Sequence, residues 1–488
     1  MNYASTMNIL VVGASGYIGS HLVPALAKRG HRVRAAARSA SVLTGRNWQD
    51  VECCDADVLK AESLEPVTEG IDIAYYLVHS MGSGGDFEER DRVGARNFAM
   101  AASRAGVGRI IYLGGIQPPG DSSAHLQSRR ETGDLLRASG VPVTEVRAGM
   151  VVGPGSAAFE VLRDLVNHLP IMTTPRWVRS RSQPIALGDL IEYLCAVAEV
   201  ADTAGRTLDV GGPELLSYAD LLRQFAEVTG KRRYIIPLPV LTPRLSSYWL
   251  DLVTSVPASV ARPLIDGLRH DLPADDAEIR RLIPIPLRTY REAVVATLRE
   301  ERTAPLAVRW TEGALAFRGY NPDISFYSKG SQTKTTIGAS AESVWELVAS
   351  IGGNRGYYFA DFLWRLRGLL DRIVGGVGMR RGRRHPRDIR SGDALDFWRV
   401  VEVEPGHRLT LVAEMKLPGA ASLEFEVTAD SPTSCTLTTA ARFHPAGLPG
   451  LLYWYGLLPA HDLIFAGMPR EIARRAERQK AQASSTPR

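Results

Sequence analysis

Residues 8–22 read NILVVGASGYIGSHL, a short apolar run that passes through Gly13, Gly16 and Gly19 into a helical pattern. The run before Gly13 is apolar apart from Asn8, as expected of a strand buried on both faces. Gly13 permits a tight turn, Gly16 leaves room for a pyrophosphate, and Gly19 lets the helix pack on the strand. Because the helix N-terminus also offers free N–H groups to an anion, the stretch predicts a nucleotide-binding turn.

The residues around this turn support the same interpretation. A second strand, Arg32 to Ala37, follows the helix and completes a strand, turn, helix, strand unit. An ordinary strand-to-helix turn is the alternative, and this context favours the nucleotide. We expect the turn to supply further cofactor contacts through Ser15, Tyr17 and Ile18.

Basic residues near the end of the second strand bear on which nucleotide binds. An NAD(H) site usually has an acidic residue there to hold the ribose 2′-OH, and this chain has none before Asp50. Arg34 and Arg38 flank the strand end, with Arg46 further on. A guanidinium can form paired hydrogen bonds to a 2′-phosphate, so we expect NADP(H) rather than NAD(H). The alternative is that these arginines are ordinary solvent-exposed residues of a surface loop and bind no phosphate.

Length and composition limit the class of protein. A chain of 488 residues is too long for one hydrophobic core, which predicts two domains. It is 45% hydrophobic with a net charge of +5 from mixed signs, typical of a globular protein without a nucleic-acid channel. Four cysteines without metal-ligand spacing indicate no metal site and a reducing compartment. Because the first strand begins at Asn8 and no apolar run is long enough to span a membrane, we expect a cytoplasmic protein.

Strand-like runs alternate with helix-like stretches through the first part of the chain, which predicts a doubly wound parallel sheet of the Rossmann type. Asp57 follows the third strand, where its carboxylate either reaches the adenine amine or caps the next helix. His79 ends the fourth strand, where such folds place their ligand crevice, and loop capping is the alternative. The predicted domain covers residues 1–302, and a Pro- and Gly-containing linker follows at 303–329.

The second predicted domain covers residues 330–480, with a flexible tail at 481–488. A strand, a helix, several antiparallel strands and a long closing helix predict an α+β helix-grip, in which the sheet usually encloses a cavity. The apolar segment Leu448 to Phe465 is either a wall of that cavity or a patch that touches a membrane. The basic run at 379–387 is interpreted as a solvated hairpin, with an anionic membrane surface as the second choice and no nucleic acid.

The glycine turn, Asp57, and the motif Arg147-Ala148-Gly149-x-x-x-Gly153-Pro154 resemble the extended and atypical short-chain dehydrogenase/reductases, particularly NmrA-like NAD(P)H-binding proteins. The resemblance covers residues 7–300. Residues 332–478 resemble a poorly characterised domain similar to the START-like helix-grip superfamily, which implies a hydrophobic ligand or lipid in the cavity.

The chain departs from this family at the catalytic motif. Active members carry Tyr-x-x-x-Lys on the helix after the fifth strand, and this chain has His125 and Arg129 at the matching positions. A spacing of four places both on one helical face. By this interpretation His125 titrates near neutrality and acts as a general acid, while Arg129 binds the nicotinamide ribose. The alternative is a site that binds nucleotide and has lost catalysis.

The resulting expectation is an NADP(H)-dependent oxidoreductase that acts on a hydrophobic carbonyl, enone or quinone-like substrate. A non-catalytic NADP(H) sensor or assembly protein with a lipid-binding second domain is the alternative, because Tyr and Lys are missing. A lipid carrier with a scaffold-like first domain is a third hypothesis. Peripheral membrane contact is compatible with all three, and the sequence does not predict an oligomeric state.

Overall fold

The computed structural model describes residues 6–44, 46, 48–79, 87–118, 123–174, 176–237, 253–254, 271–303, 328–375, 378, 389–390 and 393–485. The chain divides into two compact units, Met1–Ala304 and Pro305–Arg488. The basic run at 379–387 and residues 304–327 of the predicted linker lie outside the described residues.

The first unit alternates strands and helices, as predicted. Its described strands are β1 (Asn8–Val12), β2 (Arg32–Ala37), β3 (Val51–Asp55), β4 (Ile73–Tyr76), β5 (Arg109–Gly115), β6 (Val143–Ala148), β7 (Val151–Val152), β8 (Ile171–Thr174), β9 (Arg181–Ser182), β10 (Ile185–Ala186), β11 (Thr207–Val210), β12 (Leu216–Ser217) and β13 (Tyr234–Pro237). Its described helices are α1 (Tyr17–Lys28), α2 (Ala40–Thr44), α3 (Glu65–Thr68), α4 (Phe87–Arg104), α5 (Ala124–Arg137), α6 (Ala157–His168), α7 (Leu187–Glu199), α8 (Tyr218–Val228), α9 (Ala277–Leu282) and α10 (Tyr290–Thr303).

Seven of these strands form one sheet in the order β11-β6-β5-β4-β1-β2-β3, and every pairing in it is parallel. Apolar clusters cover both faces of the sheet. The predicted doubly wound, Rossmann-like fold is therefore confirmed. The strand order reverses between β1 and β4, so the chain leaves these two strands in opposite directions and a crevice opens beyond their carboxyl ends.

Asp189 lies in the first turn of α7, whose N-cap is Ala186. The carboxylate accepts hydrogen bonds from the backbone N–H and the guanidinium of Arg288, both at 2.8 Å. Asp189 therefore ties α7 to the segment that leads into α10.

The second unit is an antiparallel sheet with helices. Its described strands are β14 (Lys329–Ile337), β15 (Ala394–Leu395), β16 (Trp398–Glu404), β17 (Arg408–Ala413), β18 (Gly419–Ser431) and β19 (Ser434–Pro445), in the order β14-β19-β18-β17-β16-β15. Its described helices are α11 (Ala341–Ala349), α12 (Asp361–Ile373) and α13 (Gly447–Ser485). The predicted antiparallel sheet and closing helix are present, and the resemblance of this unit to START-like proteins stays a prediction.

Helix α13 is longer than the sequence predicted, because it includes Leu448 to Phe465 as well as the expected closing segment. Helix α12 was not predicted at all. The core of this unit contains aromatic rings stacked between α12 and the sheet, where Trp364 lies 4.5 Å from Tyr357 and 5.9 Å from Phe397, measured between ring centroids. Within the described residues, no helix is both long and apolar enough to cross a membrane.

Candidate functional site

The glycine turn lies at the carboxyl edge of the parallel sheet, between β1 and α1. Gly13 has φ +89°, a conformation that favours glycine, and a Cβ there would lie 3.0 Å from the carbonyl carbon of Leu77. A Cβ on Gly19 would overlap the carbonyl oxygen of Gly13. The N-cap of α1 is Gly16, which provides no side-chain cap. The structure therefore has a close backbone approach and an uncapped helix N-terminus where a pyrophosphate would bind, and the turn fits a dinucleotide.

The other three residues predicted to contact the cofactor, Ser15, Tyr17 and Ile18, differ in their exposure and in what they contact. Ser15 is exposed, and its carbonyl accepts a hydrogen bond from Arg46 at 3.3 Å. Tyr17 lies against Gly153, since a Cβ on that glycine would lie 2.6 Å from the tyrosine hydroxyl. Ile18 packs against the hydrophobic core. The side chain of Ile18 therefore does not face a cofactor. Its backbone N–H, in the first turn of α1, is the group placed to contact one.

The two arginines predicted for a 2′-phosphate are not equivalent. Arg34 lies in the middle of β2, and its guanidinium donates to Glu52 at 2.8 Å and to the carbonyls of Val67 and Glu69, both at 3.0 Å. These partners hold the guanidinium away from the carboxyl edge, so the prediction for Arg34 is wrong. Arg38 follows β2 at that edge and is exposed.

Asp57 follows β3, as predicted. Its Oδ1 accepts the N–H of Leu59 at 3.1 Å, and its carbonyl accepts hydrogen bonds from Lys60 at 2.8 Å and from the Ser63 hydroxyl at 2.9 Å. The contact with Leu59 is that of an Asx turn. The next two helical segments have Lys60 and Leu64 as their N-caps, so the capping alternative is wrong, and contact with adenine stays a prediction.

A chain of hydrogen-bonded side chains lies next to the glycine turn, beyond β4 and β5. Nδ1 of His125 lies 2.8 Å from Nε2 of His79, and Nδ1 of His79 lies 2.7 Å from Oδ2 of Asp91. The Ser128 hydroxyl donates to the same carboxylate oxygen at 3.0 Å. Asp91 is 4% exposed and His125 is 8% exposed. We call His125, His79 and Asp91 the His–His–Asp chain.

Three elements position this chain. His79 follows β4 two residues after Leu77, the residue against which Gly13 packs. Asp91 lies on α4, and His125 is the second residue of α5, whose N-cap Ser123 accepts the N–H of Leu126. The predicted residues His79 and His125 thus meet at the sheet edge beside the turn.

The proton positions follow from the partners. A carboxylate only accepts, so Nδ1 of His79 carries the hydrogen that Asp91 receives, and Nε2 of the neutral ring is then an acceptor. His125 must donate to that acceptor through Nδ1, which leaves a lone pair on its Nε2. Nε2 of His125 has no hydrogen-bond partner among the described residues. The chain therefore ends in a free imidazole nitrogen.

The His125 side chain is neutral at neutral pH. Burial, followed by the charge of Arg129 and the neighbouring His79, lowers the pKa of His125 to about 3. Burial also lowers the pKa of His79, against the opposing effect of the hydrogen bond that His79 donates to Asp91. The prediction that His125 titrates near neutrality is wrong, because a histidine surrounded by protein and facing a fixed guanidinium loses its positive form.

Arg129 lies over the end of β5. Its Nη1 donates to the carbonyl of Gly114 at 3.3 Å, and a Cβ on Gly115 would lie 3.5 Å from its Cδ. Nε of Arg129 is buried without a partner among the described residues, and the same holds for Oε1 of Gln117. These two atoms offer a donor and an acceptor to a ligand at the sheet edge. The role of Arg129 at the nicotinamide ribose stays a prediction.

Three residues near this edge were missed by sequence reasoning: Asp91, Gln117 and Ser128. None of them belongs to a short motif that marks a functional residue. Asp91 and Ser128 lie on helices, and Gln117 follows a strand. The only available signal was the strand order, which brings the loop after β4 and the start of α5 to one edge. In the described residues no group of three or more His, Cys, Asp or Glu could hold a metal ion.

The second unit contains a cavity of about 650 Å³ between α12, α13 and the sheet. Its walls are largely apolar, and Arg367, Lys416, Arg442 and His461 are the basic side chains among its lining residues. Arg367 donates to the Tyr453 hydroxyl at 3.2 Å. Most of the segment from Leu452 to Phe465 lines the cavity, in accordance with its interpretation as a cavity wall.

Comparisons with known proteins agree with this division. Residues 13–167 match a family described as NAD(P)H-binding, and residues 327–468 match a family described as protein of unknown function (DUF2867). Among solved structures, a Citrobacter sp. triphenylmethane reductase complexed with NADP(H) has a TM-score of 0.50 at 18% identity, covering 59% of this chain and 99% of that one. Residues 13–167 therefore resemble an NAD(P)H-binding domain, and the first unit has a Rossmann-like fold.

The curated relatives include several proteins named as reductases. The chain is 31% identical over 172 residues to sterol demethylase protein B of Methylococcus capsulatus, covering 30% of this chain and 52% of that protein. It is 27% identical over 255 residues to the divinyl chlorophyllide a 8-vinyl-reductase of Zea mays, covering 49% of this chain and 63% of that protein. The chain thus spans between about half and two thirds of these relatives' lengths.

Proposed function

We propose that the protein is an NADP(H)-dependent oxidoreductase that interconverts a hydrophobic carbonyl, enone or quinone and its reduced form. The observation that carries the proposal is the His–His–Asp chain, which ends in a free nitrogen of His125 beside the glycine turn. Nucleotide and proton carrier then lie at one sheet edge, which is where a doubly wound fold binds its ligand.

The bound nucleotide would supply or accept hydride. His125 moves the accompanying proton through Nε2, while its Nδ1 faces His79. When a proton reaches Nε2 of His125, the proton on Nδ1 can pass to His79, so that the positive charge comes to lie next to Asp91. His79 and Asp91 are therefore positioning residues that hold His125 in one tautomer and stabilise its protonated form.

Arg129 has a complementary electrostatic role in this proposal. Its guanidinium disfavours a positive charge on His125, and the same charge stabilises an oxyanion that develops on a substrate between them. The pair thus suits a reaction in which a carbonyl oxygen gains negative charge before it is protonated. By the resemblance to short-chain dehydrogenase/reductases, the pair stands where active members of that group carry Tyr and Lys.

The hydrophobic substrate class rests on two observations. The names of the two relatives refer to a sterol and to divinyl chlorophyllide a, both large and apolar. The second unit also contains a cavity with largely apolar walls, the kind of site that binds apolar molecules.

We expect Arg38 to select the 2′-phosphate. Arg38→Ala should weaken NADPH binding about tenfold and NADH binding little, because a guanidinium paired with a phosphate contributes about 1–2 kcal/mol at an exposed site. Dissociation constants for both nucleotides, measured by fluorescence titration, check this. Arg34→Ala is the matched control, since that guanidinium is bound to Glu52 and two carbonyls, and it should leave both constants unchanged. Equal losses for NADPH and NADH in Arg38→Ala would contradict this role.

We also expect an unusual pH dependence. Reduction needs the protonated form of His125, whose pKa is lowered to about 3, so that form increases about tenfold for each unit by which pH falls. The reduction rate should therefore rise steadily between about pH 8 and pH 5 without a plateau near 6.5. Oxidation needs the neutral form and should change little over this range. A reduction rate that levels off near pH 6.5 would contradict a proton donor whose pKa is lowered by burial.

A non-catalytic role is favoured by one observation, which is the small exposure of the His125 ring. Both functions are tested by following NADPH absorbance across a panel of hydrophobic ketones, enones and quinones, after NADPH binding has been demonstrated. The oxidoreductase proposal predicts turnover with at least one of these substrate classes. Tight NADPH binding without turnover of any substrate in the panel would instead support the non-catalytic role, that of an NADP(H) sensor.

A further inference from the structure

Helix α12 carries an apolar stripe that faces solvent. Phe362, Leu366, Leu369, Leu370, Ile373 and Val374 are all exposed, with Ile373 at 73% and Phe362 at 68%. Their spacing places them on one side of the helix, while Trp364, Gly368 and Asp371 are buried on the other. Leu452 of α13 is 66% exposed as well. We call these seven exposed residues the apolar face.

The cavity of the second unit opens at this face. Leu366, Leu370, Val374 and Leu452 both line the cavity and are exposed to solvent. The rim of the cavity is therefore apolar inside and outside. An apolar molecule that enters or leaves the cavity by this route crosses the apolar face. If that face lay in water, the molecule would have to pass through water, which is unfavourable for apolar surface.

The exposed charges next to the apolar face are positive. Arg365 and Arg372 are exposed on α12, and exposed Lys416 donates to the carbonyl of Val374 at 3.2 Å. The acidic groups of α12 are turned inward. Asp371 is fully buried and accepts the N–H of Lys416 at 2.7 Å, and Asp361 accepts the N–H of Tyr357 at 2.7 Å.

We propose that the apolar face docks on an anionic lipid bilayer, with the mouth of the cavity in the apolar layer. A helix with an exposed apolar stripe and flanking arginines lies in the bilayer interface, and its basic side chains reach the phosphates. A second copy of the chain fits less well, because a symmetric dimer through this face would bring like charges together. The proposal is independent of the oxidoreductase activity.

The test is co-flotation of the full chain with vesicles of phosphatidylcholine alone or mixed with phosphatidylserine. The wild-type chain should bind the mixed vesicles, and added salt should weaken binding. Phe362→Ser combined with Ile373→Ser should reduce partitioning at least about tenfold, because these side chains would no longer enter the bilayer. Val295→Ser, at a half-exposed apolar position on α10 of the first unit, is the matched control and should bind like the wild type.

A second variant tests the charges. Arg365→Gln combined with Arg372→Gln should lower binding to the mixed vesicles several-fold and leave the weak binding to phosphatidylcholine unchanged. Because all four substituted positions are exposed, unfolding should not accompany these changes, and circular dichroism melts check this. The proposal is overturned if the wild-type chain does not bind mixed vesicles, or if the Phe362 and Ile373 variant binds them equally well. It is also overturned if light scattering shows a dimer that this variant dissociates.

Discussion

His125→Gln should lose about 10²- to 10⁴-fold in kcat for NADPH-dependent reduction and bind NADPH as tightly as the wild type. The factor is that typical of removing a positioned proton carrier. Glutamine can still donate a hydrogen bond to Nε2 of His79, so the remainder of the chain keeps its partner, but an amide does not exchange a proton at neutral pH. Steady-state rates at saturating NADPH measure the effect.

The control for this variant is His31→Gln. His31 is also a buried histidine of the first unit, with Nε2 3.3 Å from a carboxylate oxygen of Glu199. Its replacement should alter stability without altering kcat. His79→Gln should fall between the two, and its pH profile should differ from that of the wild type because the tautomer of His125 is no longer fixed. A His125→Gln enzyme with wild-type kcat would remove His125 from the mechanism.

Gly19→Val should abolish measurable NADPH binding. Its Cβ would overlap the carbonyl oxygen of Gly13 and lie 2.8 Å from the Cα of Ala14, so α1 must move away from the turn that holds the pyrophosphate. The free energy of unfolding should also fall by about 1–3 kcal/mol, as in other overpacked sites. Equilibrium titration with NADPH and denaturant unfolding measure the two effects.

Gly456→Ala is the control, because Gly456 is also a helical glycine and its Cβ would meet no atom within 4 Å. That substitution should be neutral or slightly stabilising. Gly19→Ala should give a smaller loss than Gly19→Val. If Gly19→Val binds NADPH normally in a folded protein, the nucleotide does not lie on this turn.

The sequence predicted the parts of the fold that local pattern determines. β2 spans Arg32–Ala37 as expected, because a buried parallel strand between a helix and a turn has clear ends. Helix α12 was missed although its apolar residues recur at helical spacing, because that apolar stripe faces solvent instead of the core. The first part of α13 was missed because Leu448 to Phe465 was interpreted as a cavity wall or a membrane patch, and Pro449 lies in the first turn, where a proline removes no helical hydrogen bond.

The candidate site was predictable only in part, because its contacts join distant segments. His79 and His125 are separated by 46 residues, and the sequence placed each near the cofactor without indicating that they touch. Asp91 was not considered, because nothing in its local sequence indicates that this helical position is buried. The pKa of His125 depends on burial and on Arg129, neither of which local sequence determines. Arg34 was assigned to the phosphate although its strand position directs it to Glu52.

The most direct test of the central claim is a crystal structure of the chain with NADP⁺ bound. The account predicts the pyrophosphate on the Gly13 to Gly19 turn and the nicotinamide at the carboxyl ends of β4 and β5. Nε2 of His125 should then face an open space in which a substrate oxygen can lie within about 3 Å of it. A nicotinamide on the far side of the sheet edge, or a His125 ring sealed from it by protein, would contradict the account.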